Sequence, residues 1–191
     1  MQLIPPRIII EGSNYCGKDA MLATLLQTCK NAVVIRTSGY YRKALQAHGT
    51  EALSQYFRER SEAHLPLIAA VKHDELLIVR LHLTDIVYCQ LYLGIVQDYR
   101  VLDDELNRLK VGLVLLDVDD ATLEARHAAN PRGTSGHADR SLPTLIEKRD
   151  LFRQAFAQSG MTRRLLLHNN NGGSTLDEQT AKILEWWRSV A

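Results

Sequence analysis

The chain has 191 residues, 46% hydrophobic and 24% charged, with a formal net charge of +1 at pH 7. Such a length and composition suit one globular domain with a substantial core, and near-neutral charge argues against a general nucleic-acid or membrane-surface role. No apolar run approaches the ~20 residues that span a bilayer, the opening Met1-Gln2-Leu3-Ile4-Pro5-Pro6 lacks the pattern of a signal peptide, and three cysteines at 16, 29 and 89 offer neither metal-ligand spacing nor an even disulfide set, so a reducing, cytoplasmic setting is expected.

Apolar runs and helical patterns alternate along the chain. Residues 8–11 read as a first strand and 18–29 as the helix after it. A short Val-rich strand follows at 32–36. Residues 40–48 and 50–71 read as two helices, with Gly49 as a break between them and Pro66 as a possible kink. A third strand is expected at 76–81 and a long helix at 84–109, with Asp85 in its first turn, where negative charge suits the dipole. The continuous apolar run 111–118 suggests a parallel strand buried on both faces. A helix opens at 119–127, and 130–141, with Pro, two Gly and two Arg, reads as a loop. Residues 142–158 are helical in pattern and 164–168 form a fifth strand. After a turn at 169–173, Thr175-x-x-Glu178 looks like a capping box for a last helix that buries Leu176, Ile183, Leu184 and Trp187 on one stripe. Five strands alternating with helices imply a parallel α/β sandwich with right-handed crossovers, in which ligands bind beyond the carboxyl ends of the strands.

The motif that carries chemistry sits at the first of those ends. Ile8-Ile9-Ile10-Glu11 runs into Gly12-Ser13-Asn14-Tyr15-Cys16-Gly17-Lys18, followed at once by a helical pattern. Glycines at both ends of such a loop let backbone N–H groups turn inward around phosphate oxygens. The helix N-terminus adds partial positive charge, and Lys18 reaches the terminal phosphates. One position departs from the phosphate-loop pattern. The residue after the lysine should carry a hydroxyl for Mg²⁺, and here it is Asp19. Elsewhere, Arg36 and Thr37 follow the second strand, and Arg80 to Thr84 lie at the end of the third. Arginine outnumbers lysine 16 to 7, which would suit forked recognition of phosphates. The histidines show no metal-ligand grouping, and no His base is placed beside Cys16.

In order and spacing these segments resemble the thymidylate kinase family of P-loop nucleoside monophosphate kinases, over nearly the whole chain. The likeness rests on Glu11-Gly12 before the loop, Val34-Ile35-Arg36-Thr37, Phe57 with Arg60 and then Pro66-Leu67-Ile68, Leu77 to Thr84, Leu116-Asp117-Val118 with Glu124-Ala125-Arg126, and Arg132 to Arg140. The resemblance implies a single P-loop kinase domain with a five-stranded parallel sheet and a small arginine-bearing lid at about 129–141. It implies ATP and Mg²⁺ as cofactors and small-molecule nucleotides as partners, with no nucleic acid or membrane. Gly12, Ser13, Asn14, Tyr15, Cys16, Gly17, Lys18 and Asp19 would bind ATP. Arg36 and Arg80 would grip the acceptor monophosphate, with Asn14 near its sugar, and Phe57 and Arg60 beside its base. Lys18, Arg80, Arg132 and Arg140 would neutralise charge in transfer. Homodimerisation through the 84–109 helix would fit the family. A divergent, bacteriophage-type member would also fit.

Two positions break the family pattern in opposite senses. Val79 stands where the family has an aspartate near the metal, and Asp19 stands where it has a hydroxyl. A hard cation prefers oxygen ligands and often takes one or two carboxylates plus water. The expectation is therefore a metal whose anchor has moved to Asp19, with Glu11 orienting its water. The implied activity is phosphorylation of a deoxynucleoside monophosphate, most readily dTMP, to the diphosphate. Two alternatives stay open: a catalytically degenerate nucleotide-binding protein with a regulatory or structural role, and a deoxynucleoside kinase acting on an unphosphorylated acceptor.

Overall fold

The computed structural model describes residues 4–37, 41–72, 74–131 and 141–190, with the backbone alone described over 41–51. Five strands form one all-parallel sheet: β1 (Arg7–Glu11), β2 (Val33–Arg36), β3 (Leu76–Val79), β4 (Gly112–Asp117) and β5 (Arg164–His168), ordered β2-β3-β1-β4-β5. Eight helices lie among the described residues: α1 (Lys18–Thr28), α2 (Tyr41–Glu62), α3 (Leu65–Ala70), α4 (His82–Leu93), α5 (Arg100–Arg108), α6 (Asp120–Ala129), α7 (Leu142–Gln158) and α8 (Leu176–Val190).

Burial on both faces explains why the central strands are unbroken apolar runs. Successive side chains point to opposite faces of the sheet. Ile9, Ile78, Leu113 and Leu115 join one apolar layer with Leu83, Val87, Leu102, Leu106 and Phe152. Ile8, Ile10, Leu77, Val79, Val114 and Leu116 join the other with Met21, Leu22, Leu25, Ile183 and Trp187. A register slip of one residue would exchange the two layers wholesale, so the pairing Ile9 to Ile78 and Leu113 is tightly specified. A third, smaller cluster of Leu53, Phe57 and Cys89 joins α2 to α4.

All five expected strands are present, and the expected three-layer α/β sandwich is the observed one. The helices between β2 and β4 depart from expectation. Gly49 does not break α2, which runs through it as one 22-residue helix. A single interior glycine costs only about 1 kcal/mol, which a helix of that length absorbs. The break falls instead before α3, where Pro66 takes an N1/N2 position and starts the helix rather than kinking it. The expected long helix 84–109 is two helices. Gly94 caps α4 in the left-handed region at φ 67°, and its N–H bonds back to the carbonyls of Cys89 and Gln90. The capping box is formed as expected: Glu178 N donates to Thr175 Oγ1 at 3.2 Å and Thr175 N to Glu178 Oε2 at 2.8 Å. No helix among the described residues is long and apolar enough to cross a membrane.

Candidate active site at the carboxyl edge of the sheet

The Gly12–Gly17 loop leaves the carboxyl end of the central strand β1 and delivers the chain into α1. Three of its residues take positive φ: Gly12 at 145°, Tyr15 at 63° and Gly17 at 89°. Two positions tolerate nothing larger than glycine. A Cβ at residue 12 would lie 2.4 Å from the Leu116 carbonyl, and one at residue 17 would lie 2.5 Å from Asn169 Nδ2. Gly17 offers no side chain to cap α1, so amides of the first turn stay free to donate to an anion. Lys18, 7% exposed, curls over the loop, donating to the Gly12 carbonyl at 2.6 Å and the Ser13 carbonyl at 2.5 Å. A buried ammonium held on carbonyls at the mouth of an amide nest is a cation aimed where phosphate would sit.

Contacts from distant sequence fix the loop's shape. Arg126 on α6 donates through Nη1 to the Tyr15 carbonyl at 2.8 Å, through Nη2 to the Asn169 carbonyl at 2.8 Å and through Nε to Asn171 Oδ1 at 3.1 Å. Burial works against this charge and lowers the Arg126 pKa from its ordinary value. Asn169 Nδ2 donates to the Cys16 carbonyl at 2.8 Å, and Gln179 Nε2 in turn donates to Asn169 Oδ1 at 3.1 Å. Tyr15 Oη donates to the Asn130 carbonyl at 2.8 Å, and its ring meets His127 edge-on. Asn169 and Gln179 escape a reading of sequence alone because no local motif marks them, and the Glu124-Ala125-Arg126 segment does not by itself show that Arg126 reaches the loop.

On the other side of the loop, Arg80 ends β3 in the left-handed region at φ 67°. For a residue with a Cβ that conformation costs on the order of 1–2 kcal/mol. It is held by the Arg80 N–H donating to the Ile10 carbonyl at 3.1 Å and by Thr37 Oγ1 donating to the Arg80 carbonyl at 2.9 Å. Strain sustained in this way clusters at ligand sites. Arg80 makes no ion pair with a described residue. Arg36, at the end of β2, is exposed and lies 3.6 Å from Asp19.

Glu11 is fully buried, and both of its oxygens are engaged. Oε1 accepts from Leu81 N at 2.6 Å and Thr84 N at 3.3 Å, and Oε2 accepts from Thr84 Oγ1 at 2.6 Å. It therefore caps the start of α4. Among the described residues no three His, Cys, Asp or Glu side chains gather as a metal site. Phe57 is 2% exposed, packed with Leu53 and Cys89, with the Arg60 guanidinium 5.5 Å from its ring centroid. Arg60 also pairs with buried Asp85, whose other oxygen accepts from Ser61 Oγ at 2.6 Å. Phe57 and Arg60 thus belong to the packing between α2 and α4. Arg132 and Arg140 lie outside the described residues, as does most of the expected lid.

Lys148 on α7 completes the loop's surroundings. It is 4% exposed and donates to Asn14 Oδ1 at 3.0 Å and Tyr88 Oη at 2.5 Å. A signal for it exists in the sequence. Lys148 interrupts the buried stripe Leu145, Phe152, Ala155 of α7, where an unaccompanied charge is costly.

No protein-family model matches the sequence, and no characterised protein matches it at the sequence level. Among solved structures, the chain is similar to the YorR protein of Bacillus subtilis in complex with phosphorylated GDP, with a TM-score of 0.65, 19% identity and 93% of each chain covered. It is similar also to thymidylate kinase from Candida albicans, with a TM-score of 0.59, 17% identity, and 95% of this chain and 90% of that one covered. A third likeness is to deoxyadenosine kinase from M.mycoides, with a TM-score of 0.59, 14% identity and coverage of 96% and 99%. The fold is that of thymidylate-kinase-like P-loop kinases. That fold is shared by the thymidylate kinase and the deoxyadenosine kinase alike.

Proposed function

We propose that the protein is an ATP- and Mg²⁺-dependent kinase of a deoxynucleoside monophosphate, with dTMP the first acceptor to try. The observation that carries this reading is the buried Lys18 ammonium set in a loop of three positive-φ residues beside the strained Arg80. A triphosphate fits this loop: glycine leaves the space that a Cβ would fill, first-turn amides are uncapped, and Lys18 is near enough to exchange loop carbonyls for phosphate oxygens. Phosphoryl transfer gives the protein little covalent work, so positioning and charge neutralisation carry the catalysis.

Gly12 to Gly17 and Lys18 hold the donor phosphates, with Arg126, Asn169 and Gln179 stiffening the loop around them. Arg36 and Arg80, at the ends of adjacent strands, take the acceptor's phosphate, and Arg132 and Arg140 neutralise charge from the lid. Asp19, exposed in the first turn of α1, is the carboxylate available to a hard cation. Bound Mg²⁺ would supply charge neutralisation between the phosphates. The YorR, thymidylate kinase and deoxyadenosine kinase likenesses support a phosphotransferase acting on nucleotides or nucleosides. The monophosphate reading is favoured over the deoxynucleoside one because Arg80 would otherwise pair with no carboxylate of a described residue, and Arg36 would face only the exposed Asp19. A coupled ADP-release assay against monophosphates and nucleosides, with and without Mg²⁺, tests it. Turnover of a monophosphate only with Mg²⁺ is expected. Turnover of nucleosides alone, or of nothing, overturns it.

A further inference from the structure

The turn between β5 and α8 holds the only Asn-Gly step in the sequence, Asn171-Gly172. Both residues are exposed, and Gly172 sits in the left-handed region at φ 74° with no atom within 4 Å of the place a Cβ would take. Two contacts hold Asn171. Its N–H donates to Thr122 Oγ1 at 2.9 Å, and its Oδ1 accepts from Arg126 Nε at 3.1 Å. Its Nδ2 and the Gly172 N–H make no bond to any described residue.

This arrangement favours one reaction. A guanidinium on Oδ1 draws electron density from the amide carbon, the amide nitrogen is unbonded and free to leave, and the following glycine offers an N–H that no side chain screens. We propose that Asn171 is a site of spontaneous modification, in which the Gly172 nitrogen closes on Asn171 Cγ and a carboxylate comes to stand beside Arg126 in place of an amide. In the first step the Gly172 N–Cγ bond forms, the Cγ–Nδ2 bond breaks, and Nδ2 leaves as ammonia carrying the Gly172 amide proton. Water then opens the succinimide at either carbonyl, giving aspartate or isoaspartate, with no oxidant or cofactor. The new carboxylate pairs with the guanidinium that braces the phosphate loop through Tyr15 and Asn169. Positive charge beside the donor phosphates is cancelled, and ATP is held more weakly. That consequence, unlike the modification itself, rests on the reading of the loop as the ATP site.

Incubating the full chain at mildly alkaline pH, with peptide mass analysis and calorimetry against ATP on fresh and aged samples, tests the proposal. The peptide holding Asn171 is expected to gain the mass of amide-to-acid conversion, faster as pH rises, and hydroxylamine is expected to cut the chain after Asn171. Asn171→Gln, whose longer side chain cyclises poorly, is expected to gain no such mass and to keep on ageing the ATP affinity it began with. Aged wild type and fresh Asn171→Asp are each expected to bind ATP about threefold more weakly than fresh wild type, the size of one exposed charge interaction. A peptide that gains mass in urea but not in the folded chain overturns the proposal, because the turn then protects the amide. Unchanged ATP affinity in both aged wild type and Asn171→Asp overturns it too. Absence of ATP binding by fresh wild type refutes the kinase reading instead, while the mass of the same peptide still decides whether the site is modified.

Discussion

Asp19 and Arg36 face each other at 3.6 Å across the mouth of the phosphate loop, one from the first turn of α1 and the other from the end of β2. Their side chains are 66% and 60% exposed, so solvent screens the pair and it adds at most a few tenths of a kcal/mol to folding. Its importance is local: the carboxylate proposed for the metal and the guanidinium proposed for the acceptor phosphate neutralise each other until ligands arrive.

Asp19→Ser should consequently leave thermal stability within about 0.5 kcal/mol of wild type, as surface changes usually do. If Asp19 anchors the cation, the Mg²⁺ concentration for half-maximal activity should rise severalfold. Full activity of Asp19→Ser at limiting Mg²⁺ would remove Asp19 from the metal's coordination.

Gly12→Ala tests the loop's shape directly. The added methyl would meet the Leu116 carbonyl at 2.4 Å and Cys16 Sγ at 2.7 Å, from a backbone at φ 145° that side chains rarely accept. The cost should exceed about 2 kcal/mol, because backbone strain and overpacking act together. Chemical denaturation measures it, and a loss below about 0.5 kcal/mol would mean the loop relaxes freely.

Arg126→Met keeps an unbranched stem but removes the guanidinium and its three hydrogen bonds to the loop and its neighbours. Binding of ATP should weaken by roughly tenfold while the affinity for the monophosphate changes little. Hydrogen bonds to a charged group contribute about 1.5–3 kcal/mol each, but solvent weakens these partly exposed ones and part of the loss appears as stability and not as binding. Equal weakening toward both nucleotides would show that Arg126 supports the fold more than the donor site.

Asp103 links α5 to the turn after α7: one oxygen lies 3.0 Å from His82 Nε2, and the other accepts from Gly160 N at 2.6 Å and Ser159 Oγ at 3.1 Å. Burial pushes its carboxyl pKa up, but His82 and these donors outweigh burial and the net pKa is lowered. A carboxylate with a depressed folded pKa contributes stability that is present above its unfolded value and fades as pH falls through the folded one. Unfolding free energy should therefore drop as pH falls below about 4, the ordinary aspartate range. Asp103→Asn should flatten that part of the profile and cost about 1–3 kcal/mol at pH 7.

The thiols offer a reporter of opening. Cys29 and Cys89 are buried and their pKa values are pushed up to about 11, chiefly by burial. Since the thiolate is the reactive form, labelling at pH 8 should follow global or local unfolding. Fast labelling of either in the folded chain would contradict the packing of α1 and α4 described above.

The sheet was legible because burial on two faces leaves its strands as apolar runs, and the phosphate loop because glycines and a lysine must stand at fixed spacing. What escaped were features set by tertiary contacts. Residues 80 and 81 looked like the end of the third strand, yet bonds from Ile10 and Thr37 hold Arg80 in the left-handed region and end β3 at Val79. Gly49 and Gly94 look alike in sequence, but one is carried inside α2 and the other terminates α4. Nothing local in the sequence shows that Glu11 accepts from Leu81 and Thr84 across the start of α4. Lys148 stands more than a hundred residues from Asn14 in the chain, a separation no local pattern spans.

The bond relay from Gln179 through Asn169 to the Cys16 carbonyl has a practical corollary for anyone trimming this chain. A peptide carrying the strand, loop and first helix would lack the brace that α8 provides. Deletions from the carboxyl terminus remove Trp187 and Ile183 before they reach Gln179, so the brace on the loop and one apolar layer of the sheet should fail together.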